Sequence, residues 1–163
     1  MEQIKPILEA LLLASEAPLS VEKIRDVLPE VERDEITRQL AELVSEYESR
    51  QGGFHLCAVA GGYQFRTRPA FSSWVRKLKG SKGQALSPAA METLAVVAYR
   101  QPVMKSEVDK IRGVDSSASV KGLLDKKIIR MVGRKDVPGK TMLYGTTKKF
   151  LEMFNLNDPS ELP

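Results

Sequence analysis

The second half of this chain repeats the organisation of the first, and that constrains the fold more than any single motif. Leu11–Val27 and Ala95–Ile111 superpose without a gap, with Ala14 on Ala98, Pro18 on Pro102, Leu19 on Val103, Ile24 on Val108 and Val27 on Ile111. Further along, Phe65-x-Thr67-x-x-x-Phe71 matches Tyr144-x-Thr146-x-x-x-Phe150. Each half reads helix, proline-marked turn, short helix, longer helix, β-hairpin, terminal helix. Helices followed by a two-stranded wing predict an α+β, predominantly helical fold of two tandem winged-helix domains. The expected boundaries are 1–78 for the first domain, 79–86 for a linker, 87–155 for the second domain and 156–163 for a tail. Domains of about eighty residues bury only ~60% of their unfolded surface, so each gains from packing against a partner.

The periodicity within each half supports this plan. Ile4, Ile7, Leu8, Leu11 and Ala14 form a stripe at helical spacing. Leu8, Leu12 and Leu13 widen it beyond what one three-helix core needs, which predicts that a second copy covers them in a homodimer. On that expectation Leu8→Glu or Leu12→Glu yields a folded monomer. Gly61-Gly62 between two short apolar strands signals a hairpin. Ser87-Pro88 opens the second unit as N-cap and first helical residue. Gly113 is the expected end of the short helix over 106–112.

Charge is distributed unevenly. Residues 1–50 carry six basic against twelve acidic residues, 51–80 five against none, and 81–163 fourteen against nine. The leading helices are therefore acidic and the rest basic, so only the second unit suits an anionic partner. A single cysteine, Cys57, permits no intrachain disulfide and suits a reducing compartment. Met1-Glu-Gln-Ile lacks the basic start of a signal peptide. No apolar run approaches the ~18 residues of a membrane span.

Enzymatic signatures are missing. Gly139-Lys140-Thr141 resembles the end of a phosphate-binding loop, but five residues separate Gly133 from Gly139 and a strand is expected to follow. His55 and Cys57 are one residue of each kind, too few for a zinc set. Neighbours on one strand face also run parallel, which is poor geometry for a nucleophile–base pair. Neither cofactor nor metal is expected. DNA reading is disfavoured because the third helix of the second unit lacks the Arg, Asn or Gln that face base edges, and that of the first unit is strongly acidic. The second offers Ser117, Ser119, Lys121 and Asp125, the first mainly glutamates. A winged-helix transcription regulator remains the alternative, with weak phosphate contact through the second unit.

The segment Glu92-Thr-Leu-Ala-Val-Val-Ala-Tyr-Arg-Gln-Pro102 is the most distinctive. With Ile111-Arg-Gly-Val114, Gly133-Arg-Lys-Asp-Val-Pro-Gly139 and Leu143-Tyr-Gly-Thr-Thr147, it resembles the segregation and condensation protein B family, the accessory subunit of prokaryotic SMC–kleisin complexes. The resemblance spans essentially the whole length. It implies homodimerisation and binding of the kleisin subunit, segregation and condensation protein A, and through it the SMC ATPase. It further implies a cytoplasmic, nucleoid-associated role in chromosome condensation, no catalysis, and DNA contact that is weak or indirect. The chain stops at Pro163, so functions placed on a longer acidic tail in relatives are not carried over. Interface-type residues are concentrated at Tyr99, Arg100 and Gln101, at Arg112, and at Arg134 and Lys135. The expectation is that helix ends and wing base bring them together as one kleisin-binding patch.

Overall fold

The computed structural model describes residues 4–80, 85–136 and 141–163. The middle of the expected linker, 81–84, and the tip of the second wing, 137–140 with Gly139 and Lys140, lie outside the described residues. The chain divides into two compact units, Met1–Gly83 and Gln84–Pro163.

In the first unit, α1 (Ile4–Ala14), α2 (Val21–Val27) and α3 (Arg33–Ser49) precede a hairpin of β1 (Phe54–Val59) and β2 (Gly62–Thr67). A 3-10 turn at Pro69–Phe71 and α4 (Ser72–Lys79) follow. The Ser20 side chain accepts from the Lys23 amide at the start of α2, satisfying one of the donors that a helix start leaves without a partner. Asp34 and Glu35 occupy the first turn of α3, where the helix dipole favours negative charge. Ile36, Leu40 and Leu43 form its buried stripe. The hairpin turn is one residue earlier than the glycine pair suggests: Ala60 and Gly61 both have positive φ, and Val59 pairs with Gly62. Gly62 serves a different purpose. A Cβ there would meet the Leu19 carbonyl carbon at 2.8 Å, because Leu19 and Tyr63 exchange two backbone hydrogen bonds, both of 2.9 Å.

Leu8 and Leu12 are 0% and 2% exposed, in one core with Ile24, Leu28, Ile36, Leu40, Leu43 and Leu56. This corrects the expectation that they form a dimer face. α1 packs against both α3 and β2, so its apolar face spans two seams, and Ile4, Ile7 and Leu11 are the half-buried flanks. Only Leu13 is left out, 78% exposed. The surplus apolar surface lies elsewhere. Phe71 at the N-cap of α4 and Trp74 and Leu78 within it are all exposed at helical spacing, and α4 buries none of its residues.

The second unit has α5 (Pro88–Arg100), β3 (Val103–Met104), α6 (Lys105–Arg112), α7 (Ser117–Asp125), β4 (Ile129–Lys135), β5 (Thr141–Thr146), α8 (Lys148–Phe154) and a 3-10 turn at Pro159–Glu161. Its antiparallel sheet has the order β3-β5-β4, the wing strands plus one short strand between helices. Ser87 caps α5 by accepting from the Ala90 amide, and Gly113 ends α6 in the left-handed conformation that costs other residues strain. The tail expected at 156–163 is structured. The Leu156 amide donates to the Leu151 carbonyl, and Asp158 caps the 3-10 turn.

The gap-free superposition of the halves holds from Pro18 and Pro102 onward but not before. Four residues separate Ala14 from Leu19, and two separate Arg100 from Val103. The first helices therefore correspond with a two-residue slip: Ile7, Leu8, Leu11 and Leu12 stand where Thr93, Leu94, Val97 and Ala98 stand. Burial confirms the slip, because those four residues are the buried residues of α5.

Lys105, Asp109 and Ser116 tie α6 to the start of α7. The Asp109 carboxylate accepts from Lys105 Nζ at 2.7 Å, from the Ser116 amide at 2.8 Å, and from the Ser116 hydroxyl. Lys105 and Ser116 hold the Asp109 carboxyl down at about 2, against an ordinary 3.8.

Two outcomes follow. Leu8→Glu buries a charge with no partner and unfolds the first unit rather than releasing a folded monomer; Leu12→Ala costs about 2–5 kcal/mol. Loss of helical circular dichroism for the first and a shifted urea midpoint for the second check this. Because its folded pKa is depressed, Asp109 stabilises the second unit fully above its unfolded pKa, and that contribution is lost as pH falls from about 4 toward 2. The urea-midpoint difference between wild type and Asp109→Asn should shrink over that range.

Candidate partner-binding surface

The residues expected to form one patch divide among several settings. Tyr99, on the last turn of α5, is 57% exposed, and its hydroxyl donates to the Pro163 carbonyl at 2.7 Å. Its ring lines an apolar groove of about 230 Å³ with Met91 and Ala95 of α5, Phe150 and Phe154 of α8, and Leu162 and Pro163. Arg100, beside it, ends α5 and is exposed, where a cation complements the negative end of the helix dipole.

Gln101 is engaged inside the unit. Its Oε1 accepts from the Thr146 amide at 2.8 Å and the Thr146 hydroxyl at 3.0 Å, and its Nε2 donates to the Ala98 carbonyl at 3.1 Å. The carboxamide thus clamps the end of α5 to β5. Gly145 lets this happen, because a Cβ there would meet Val132 Cγ1 at 2.9 Å and Gln101 Oε1 at 3.1 Å. Gln101 still lines a shallow cleft with Pro102, Val132, Leu143 and Gly145, so the helix end and the wing base do meet there.

Arg112 is not an open anchor either. Its side chain is 8% exposed and pairs with Glu92 at 3.1 Å, bracing α6 against α5. Arg134 and Lys135 are exposed on β4, opposite Met142 and Thr141. Of the six residues, Tyr99, Arg100, Arg134 and Lys135 present themselves outward, while Gln101 and Arg112 hold the scaffold. Sequence reasoning missed Val132 and Leu143 in the wing cleft, and Phe150 and Phe154 in the groove. The last two were signalled by their i, i+4 spacing on a helix.

The third helices offer little to a base edge. On α3, Arg38 pairs with Glu35 and Glu42, both at 2.6 Å. Glu42 also meets Lys5, and these hydrogen bonds lower the Glu35 and Glu42 carboxyls below their usual range. On α7, the Ser117 hydroxyl donates to Asp115.

Chemistry is equally unsupported at the sequence's other candidates. Burial pushes the Cys57 thiol up, away from the thiolate a nucleophile needs. His55 faces Glu48 at 3.8 Å. Thr141 opens a strand, so no helix N-terminus follows the Gly133–Thr141 segment to cradle a phosphate. Among the described residues, no group of three or more His, Cys, Asp or Glu is placed to hold a metal, and no helix is long and apolar enough to cross a membrane.

Residues 6–163 match the family model described as segregation and condensation complex subunit ScpB. The chain is 47% identical over 161 residues to segregation and condensation protein B of Syntrophotalea carbinolica, covering 99% of this chain and 81% of the relative. Among solved structures, ScpB from Mycobacterium tuberculosis is 34% identical, with 95% of this chain and 96% of that chain covered and a TM-score of 0.44. A dimer of an ScpB N-terminal domain complexed with an ScpA peptide is 30% identical over 46% of this chain and 93% of that chain, with a TM-score of 0.42. The match over nearly the whole length, on a scaffold of two winged-helix units, decides the question of kinship: the chain belongs to the segregation and condensation protein B family.

Proposed function

We propose that this chain is a non-enzymatic adaptor. It homodimerises through its first unit and binds the kleisin subunit of an SMC complex through its second, acting in chromosome condensation and segregation in the cytoplasm at the nucleoid. Family membership across residues 6–163 carries this reading. The distribution of surface chemistry supports it. The exposed stripe of Phe71 at the N-cap of α4 with Trp74 and Leu78 on it offers apolar surface of the kind a two-fold contact uses, and Leu13 adds to the apolar surface of the same unit. This takes over the role first assigned to Leu8 and Leu12. On the second unit, Tyr99 beside Arg100 joins an aromatic ring and an exposed guanidinium, the side-chain types enriched among binding anchors. Arg134 and Lys135 add positive charge suited to an acidic kleisin segment. Against the rival, a DNA-reading regulator, α7 carries no Arg, Asn or Gln, and on α3 Arg33, Arg38 and Gln39 are engaged by Glu22, Glu35 and Glu42.

The test is co-purification with the kleisin from the same genome, with mass measurement and titration. The wild-type chain should run as a dimer, alone and in the complex. Trp74→Glu with Leu78→Glu should give a folded monomer, since neither side chain is in the core. Tyr99→Ala with Arg100→Ala should weaken kleisin binding at least about thirtyfold, roughly 2 kcal/mol, and Lys121→Ala should leave it within about twofold. A monomeric wild type at micromolar concentration removes the dimer. If Lys121 and Lys126 dominate instead, with DNA affinity falling steeply with salt, the regulator is the correct reading.

A further inference from the structure

The end of the described chain is seated in a groove that the winged-helix plan does not require. Leu162 and Pro163 line this groove together with Met91, Ala95 and Tyr99 of α5 and Phe150 and Phe154 of α8. The Tyr99 hydroxyl donates to the Pro163 carbonyl at 2.7 Å. Residues 157–162 reach this position as a self-closed turn. The Asn157 amide donates to the Glu161 carboxylate at 2.7 Å, and the Asp158 carboxylate accepts from the Ser160 amide at 2.9 Å. The Leu162 amide donates to the Pro159 carbonyl.

The internal repeat shows that this groove is specific to the second unit. With the two-residue slip, Met91, Ala95 and Tyr99 correspond to Lys5, Glu9 and Leu13. In the first unit Lys5 pairs with Glu42 and Glu46, and Glu9 accepts from the Tyr47 hydroxyl. The same helix face is closed by charge there and opened by small and apolar residues here. The groove also extends past what the chain's end covers: its lining residues Met91 and Phe154 remain substantially exposed. Methionines give such a surface adaptability toward more than one apolar ligand. Leu162 is only half-buried in its seat and Pro163 stays exposed, so release forfeits little burial and falls at the low end of local opening energies.

We propose that the α5–α8 groove is a docking site for an extended peptide bearing an acidic residue followed by Leu-Pro, and that residues 156–163 are its resident, releasable occupant. The resident segment defines the ligand. A leucine shares the groove with Ala95 and the two phenylalanines, a backbone carbonyl accepts from Tyr99, and Asp158 and Glu161 add negative charge that suits a unit of net basic composition. A tethered occupant acts at an effective concentration of about millimolar, so a free ligand competes only when the segment lets go.

A fluorescein-labelled synthetic peptide of residues 156–163 tests this without the kleisin, so that failure of the kleisin reading and failure of this one are told apart. Leu162→Asp in the full chain should free the groove while leaving the Leu156 contact to α8 in place. Peptide anisotropy should then show binding at least tenfold tighter to that variant than to wild type. Ala95→Arg added to it should abolish binding, as should Leu162→Asp in the peptide. A second arm uses the unaltered chain, so that a misfolded variant decides nothing. With millimolar peptide added, hydrogen exchange at the Glu161 and Leu162 amides should quicken at least tenfold. Equal peptide binding by wild type and Leu162→Asp, binding unaffected by the leucine change in the peptide, or unaltered exchange rates would overturn the proposal.

Discussion

Each unit depends on burying the apolar face of its first helix. In the first unit Leu8 and Leu12 sit beneath α3 and the hairpin. In the second, Leu94 and Val97 are buried with Thr93, whose hydroxyl is satisfied by the Ala89 carbonyl at 2.9 Å. Units of this size have little stability to spare, so loss of one such side chain removes a large share of it. The remaining elements are arranged around this contact. The short helix and the third helix complete the layer, and the hairpin closes it from one side.

One plan carries two different surfaces. In the first unit the outer helices are laced with ion pairs, as in Lys5 with Glu42 and Glu46 and Arg38 with Glu35 and Glu42. Exposed pairs of this kind add little stability individually; their effect is to occupy cations that would otherwise meet an anionic partner. In the second unit, Arg112 is folded against Glu92, and Arg100, Arg134 and Lys135 stay outward. The terminal helices diverge in the same way. α8 buries Phe150 and Leu151 in its own unit, whereas α4 buries nothing and exposes Trp74 and Leu78.

These differences suit an adaptor. A binding subunit needs surfaces that remain open until partners arrive, held on a scaffold of fixed geometry. Gln101 illustrates the division. It sits between an exposed arginine and a proline in the most distinctive segment of the chain, yet its carboxamide joins α5 to β5. The clamp holds Tyr99 and Arg100 at a helix end of defined position.

The order of the helices and hairpins, the caps at Ser87 and Gly113, and the acidic-to-basic division were legible in the sequence alone, because each rests on local preferences or on composition; the short strand β3, which exists only by pairing with β5, was not. The family was legible too, in the segment ending at Pro102 and in the wing motifs. What the sequence could not decide was which side chains of an apolar or basic cluster are used internally. Leu8, Leu12 and Leu13 are chemically identical neighbours, and only the placement of α3 and β2 on two sides of α1 buries the first two and leaves the third outside. Gln101 and Arg112 looked like open contacts until β5 and Glu92 were brought against them, and the last residues looked like a loose tail until α5 and α8 formed a groove. Periodicity reports which face of a helix is apolar; how many neighbours that face meets is set by the packing of residues far away in the chain.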